Sequence, residues 1–199
     1  MTLDLYAALL VFSAIMAFTP GPNNTILMAS GIAHGFKRTL PAVIGVALGF
    51  PFLALCVGLG LGKLLEAVPG FHAFLKYGGA LYLIWLAWKI ASDKPSEADS
   101  GDAAKPLNFL QAMGFQWINP KAWIFAISAV ADYTLPNQFW LGLAVVVGTL
   151  ILTGITSAST WAAFGAAIKA LLSDPRWFRP INIALAVLLL GSLVPMLRH

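Results

Sequence analysis

An apolar stretch that is cut in its middle constrains this chain more than any other feature. Hydrophobic sequence runs from Leu5 to Phe18, stops at Thr19-Pro20-Gly21-Pro22-Asn23-Asn24, and resumes from Thr25 to Ala33. Prolines two apart do not fit inside an intact helix, because each lacks an N–H and each ring clashes with the preceding turn. In lipid, backbone groups freed by such a break need partners from protein or from a water-filled cavity. A second interruption, Asn119-Pro120-Lys121, falls in the other half of the chain. Interruptions in corresponding halves are the sequence pointer to a secondary-transporter site.

Composition places both breaks in a membrane. The chain is 59% apolar and 10% charged, with a mean hydropathy of +0.83, whereas about a quarter of a soluble domain is charged. The net charge of +4 raises the question of nucleic acid. It is rejected as a partner, because Lys and Arg are scattered between apolar runs and form no basic face. The single cysteine, Cys56, excludes an internal disulfide and a paired-thiol relay. The N-terminal start carries Asp4 without Lys or Arg, and no small-residue cleavage site follows the first apolar run. That run reads as a retained span, not a signal peptide.

Six apolar runs approach the ~20 residues needed to cross a bilayer: roughly 4–33 (broken), 40–62, 71–91, 107–131 (broken), 138–168 and 181–197. The polar stretch from Ser92 to Lys105 separates three runs from three. The expected fold is therefore an all-α membrane protein of two three-span repeats, 1–91 and 107–199, joined by a linker at 92–106. Together they form one transport domain. Three is odd, so the second repeat must be inverted relative to the first, and the first helix of each is broken. A weak echo supports this: Lys63, Pro69 and Phe71 recur in spacing as Lys169, Pro175 and Trp177. Lys37, Arg38, Lys89, Lys94, Lys105, Lys169, Arg176 and Arg179 fall on one side of the expected topology, against Lys63, Lys76 and Arg198 on the other. Basic loops stay in the cytoplasm, which puts both termini outside it.

The residues at the breaks suit a small charged ligand. Pro22 is well placed as the first residue of a half-helix, where a missing N–H leaves no bond unmade. Such a half-helix turns N–H groups and a positive dipole end towards an anion. Asn23 and Asn24 add donors and acceptors, and Gly21 is expected to supply backbone freedom. Structural kinks filled by neighbouring helices remain the alternative. Lys121 lies fourteen residues after Leu107, on the order of 20 Å along a helix. An ionisable group within a span is a functional candidate by default. It either binds a substrate carboxylate, joins proton coupling, or pairs with freed carbonyls at the break. Thr149, Thr153, Thr156 and Thr160 share one helical face, flanked by Ser157 and Ser159. They line a polar path or serve ordinary helix packing. Gly45 with Gly49, and Gly58 with Gly62, read as close-packing surfaces. Trp85, Trp88, Trp140 and Trp177 read as interface anchors, and Trp117 and Trp123 flank the second break. Cys56, His34 and His72 read as structural or exposed.

These elements together resemble the LysE/RhtB-type amino-acid exporter family along essentially the whole chain. The resemblance is carried by Thr19-Pro20-Gly21-Pro22-Asn23-Asn24, Ser30 to Gly35 with Phe36, Gly45 to Gly49, Gly79 to Ala87, and Asn119-Pro120-Lys121. Leu48-Gly49-Phe50 and Trp85 to Ile90 are most similar to the cysteine and O-acetylserine exporters within that family. The resemblance implies proton-driven efflux of a small neutral amino acid across the bacterial inner membrane, with no cofactor and no metal. Substrate contacts are then expected at Thr19, Pro20, Gly21, Pro22, Asn23, Asn24, Asn119, Pro120, Lys121, Thr153, Thr156 and Thr160. Some relatives that export cationic amino acids carry an acid where Phe50 stands here, which argues against lysine or arginine as cargo. Asp132, Glu66 and Lys121 are the candidates for the proton carrier. A threonine/homoserine-type exporter and a passive facilitator for zwitterions stay open, as does a homo-oligomer. An enzyme is excluded, because the spans offer no paired carboxylates and no histidine cluster.

Overall fold

Pro20 and Pro22 separate two helices instead of kinking one. A computed structural model describes residues 2–62, 67–68, 70–92, 106–171, 175–191 and 193–194. In it α1 (Leu3–Phe18) stops short of Pro20, and α2 (Pro22–His34) begins on Pro22, with the pair bent by 52°. Gly35 follows at φ 79°, left-handed backbone that favours glycine, and reverses the chain into α3 (Phe36–Cys56). A π-helical segment, Val57–Leu61, extends α3. Next come α4 (Phe71–Ser92) and the short α5 (Phe109–Phe115), then α6 (Pro120–Tyr133). Asn108 and Gln111 close a capping box on α5. The second break thus has the form of the first, with Pro120 opening α6 as Pro22 opens α2. The chain ends with the long α7 (Phe139–Leu171) and α8 (Phe178–Gly191).

All regular structure among the described residues is helical. Phe36–Leu61 and Pro136–Lys169 are each long and apolar enough to cross a membrane, and the bent pair α1–α2 makes a third candidate. Six crossings were expected. At 22 residues α4 has the length, but Lys76 and Lys89 lower its hydropathy. The α5–α6 unit has a first arm of only seven residues, and the described part of α8 runs for 14. Glu66, Lys63, Pro69, most of the 92–106 linker and the end of the 181–197 run lie outside the described residues.

The spine of the fold is α7, which packs on α1, α2 and α3. Its crossing with α2 is backbone on backbone. A Cβ at Gly31 would collide with the carbonyl of Ala162, and one at Gly165 with the carbonyl of Met28. Small residues permit this approach, which drives association where lipid gives no hydrophobic incentive. Gly45 and Gly49 do the same for α3 against α5: a Cβ at Gly49 would lie 2.8 Å from Met113 Cα. In turn α4 packs on α8, and its Gly79 faces the second break, where a Cβ would lie 2.8 Å from the Ile118 carbonyl and 3.0 Å from Pro120 Cγ. Large apolar side chains such as Leu10, Val11, Ile15, Ile44, Leu152 and Ile155 stay exposed on the outside. So much exposed apolar surface suits hydrocarbon, not water.

Candidate functional site

The two breaks meet. They share a cavity of about 60 Å³, lined by Gly21, Pro22, Asn23 and Asn24 from the first and Asn119, Lys121 and Ala122 from the second. Gly154, Ser157 and Ala158 of α7 and Phe50 of α3 also line it. At roughly 10–15 Å³ of such space per water, the cavity has room for a handful of water molecules.

The backbone opened by the first break is repaired by side chains from three helices. Asn24 Nδ2 donates to the carbonyls of Ala17 (2.8 Å) and Thr19 (3.0 Å). Ser157 Oγ donates to Ala17 O at 2.7 Å. Lys121 Nζ crosses from the second break to donate to Thr19 O at 2.9 Å. These carbonyls are the negative end of α1, and four donor contacts converge on two of them. Asn119 caps α6 by accepting from the Lys121 N–H at 3.2 Å, which fixes where the lysine leaves the backbone. A cap of this kind is worth about 1 kcal/mol.

Gly21 has a different reason than backbone freedom. Its φ of −179° and ψ of −178° are extended backbone that any residue adopts. What needs glycine is space: a Cβ here would lie 3.0 Å from Lys121 Cδ and 3.1 Å from Nζ. The lysine side chain lies across the glycine to reach Thr19.

Gln116 is absent from the sequence-based site and belongs beside it. It is fully buried, and its amide exchanges two hydrogen bonds with that of Asn23, at 2.9 and 3.1 Å. Its Nε2 also donates to Ala112 O at 3.0 Å. The available signal was a lone amide in an apolar run three residues before Asn119.

Thr153, Thr156 and Thr160 do not line the cavity. Each hydroxyl donates to the carbonyl four residues back in α7, as Thr149 does, and Thr156 and Thr160 are exposed. The cavity face of α7 is the neighbouring one, turned by roughly a third of a turn at ~100° per residue. Thr19 and Pro20 are exposed at the break. Pro120 is buried, starting α6. Trp123 is buried and bonds through Nε1 to Trp117 O at 3.0 Å, so this pair braces the second break from behind. Asp132 is exposed at the far end of α6. Phe50 packs on Phe125 with ring centroids 4.6 Å apart, and no carboxylate is among the described residues that line the cavity.

The sequence profile of the LysE type translocators matches residues 14–196. The chain belongs to that family. Among its relatives are proteins named cysteine/O-acetylserine efflux protein. The one from Escherichia coli O139:H28 is 33% identical over 192 residues, 96% of each chain. Those from E. coli K12 and Shigella sonnei are 34% identical over 191 residues, 95% of each chain. No solved structure matches. The translocator is a multi-pass protein of the bacterial inner membrane.

Proposed function

We propose that the cavity is the substrate site of an exporter for small neutral amino acids, of the size and polarity of cysteine or O-acetylserine, coupled to the proton gradient. The observation that carries this reading is the convergence of both helix breaks on one cavity, with Lys121 the one charged residue among the described residues that line it. A zwitterion's carboxylate suits that ammonium, and the missing acid disfavours a cationic side chain. The names of the relatives point to the same substrates.

The architecture that fits this role is a pair of inverted repeats, 1–91 and 107–199, joined at 92–106, with six crossings. Several helix contacts in the two halves correspond, which supports this reading. The first broken unit packs on α7, as the second packs on α3. The pairs α3–α7 and α4–α8 each map onto themselves. An odd-membered repeat with this symmetry must be inverted, and alternating access then rocks one repeat against the other around the shared site. Lys37 and Arg38 would face the cytoplasm.

Counterflow in proteoliposomes with a panel of labelled amino acids tests the substrate, and an imposed proton gradient tests the coupling. Exchange confined to threonine and homoserine would reassign the cargo, and exchange blind to the gradient would make the protein a facilitator. Lys121→Met should abolish transport in folded protein. Lys121→Arg should recover little, because a planar fork does not replace a point charge.

A further inference from the structure

The geometry points to an exchange of ammonium groups: Lys121 and the substrate's α-ammonium compete for the carbonyl of Thr19, and binding swaps one for the other. This rests on the reading of the cavity as the amino-acid site. An amino acid brings two charges, and among the described residues of the cavity wall only one, Lys121, is charged. Lys121 can meet the carboxylate. No Asp or Glu is among the described residues that line the wall, and the carbonyls at the negative end of α1 are the acceptors best suited to an ammonium.

Those carbonyls are already engaged. A carbonyl oxygen accepts two hydrogen bonds. Ala17 O takes Asn24 and Ser157, and Thr19 O takes Asn24 and Lys121. Withdrawing Ser157 or the Asn24 amide would leave a buried neutral donor unpaired, which is costly. Lys121 alone gains a new partner on leaving, because the incoming ligand carries a carboxylate. The lysine therefore moves from a carbonyl to a carboxylate, and the ligand's ammonium takes its place at Thr19. Gly21 leaves the lysine a clear path, with its side chain lying over a backbone that carries no Cβ.

The exchange makes recognition conditional. An amine without a carboxylate must evict Lys121 and give it nothing. A carboxylic acid without an amine draws Lys121 away and leaves Thr19 O with Asn24 alone, one hydrogen bond short. Only a molecule with both groups, spaced as in an α-amino acid, completes the swap. The Thr19–Lys121 bond also ties the first half of the chain to the second, so the same event that seats substrate removes one of the bonds between the halves.

The test is a ligand series in detergent by calorimetry: L-cysteine, its decarboxylated amine cysteamine, and its desamino acid 3-mercaptopropionate, against wild type and Lys121→Met. Wild type should bind each half-molecule roughly tenfold or more weakly than cysteine, the loss expected for one charged hydrogen bond. Lys121→Met should lose cysteine by a similar factor and yet bind cysteamine several-fold better than wild type, because Thr19 O is no longer contested. Cysteamine binding wild type as tightly as cysteine, or a folded Lys121→Met with no gain for cysteamine, overturns the exchange. If that variant does not fold, the wild-type series alone decides. Cysteine exchange in counterflow together with either of those results sinks the exchange and leaves the functional reading standing. Wild type that exchanges no amino acid in counterflow sinks both.

Discussion

Asn23 and Gln116, 93 positions apart, hold each other's amides in a reciprocal pair of hydrogen bonds, at 2.9 and 3.1 Å. The pair joins the second residue of α2 to the end of α5, and so fastens one helix break to the other. Asn23 thus spends its amide on the fold, beside a cavity that its side chain also lines.

The pair should behave as a unit. Asn23→Ala leaves Gln116 Oε1 buried without a donor, and each single change should cost about 1–3 kcal/mol. Asn23→Ala with Gln116→Leu removes both partners and should cost less than the sum, by roughly 0.5–3 kcal/mol. Thermal unfolding in detergent measures the cycle. Additive shifts would mean that the two amides do not support each other.

Gly21 should prove intolerant for function and tolerant for folding. A methyl there meets the far end of a flexible lysine, not backbone, so Gly21→Ala should keep a near-normal unfolding temperature. A Lys121 ammonium pushed aside by that methyl is misplaced for the substrate carboxylate it is proposed to meet, and substrate affinity should fall about tenfold or more. Gly21→Val should be worse than Gly21→Ala. Normal affinity in both would show that the lysine does not need this space.

The α2–α7 crossing should resist any added carbon. In Gly165→Ala the new methyl runs into the Met28 carbonyl, and in Gly31→Ala into the Ala162 carbonyl. Overpacking of this kind costs typically 1–3 kcal/mol, and more where backbone must move. Gly148→Ala, on the same helix but with no atom within 4 Å of its Cβ, is the control and should be tolerated. The readouts are the monodisperse fraction after extraction and the unfolding temperature. Equal behaviour of Gly148→Ala and Gly165→Ala would argue against the close crossing.

Topology is open to chemistry at one exposed position. In a Cys56→Ser background, Lys37→Cys should resist an impermeant maleimide added to intact cells and react once the membrane is permeabilised. Reaction from outside would invert the orientation drawn from the basic loops.

Local chemistry made the helix breaks readable in advance. Proline chemistry is local, and the end of α1 and the starts of α2 and α6 follow from Pro20-Gly21-Pro22 and Asn119-Pro120, whereas the single prolines Pro41 and Pro51 sit inside α3 without ending it. Hydropathy likewise marked α3 and α7 as long apolar helices. The contents of the cavity were a different matter, because they depend on pairs far apart in the chain. Nothing near Gln116 names Asn23 as its partner. Nothing near Gly21 says that its missing Cβ serves a lysine from the other half. The threonine stripe of α7 shows the same limit. A helix carrying small residues on several faces has no preferred rotation about its own axis. That choice fell to Gly31 and Gly165, whose close crossing turns Gly154, Ser157 and Ala158 to the cavity and leaves Thr156 and Thr160 exposed.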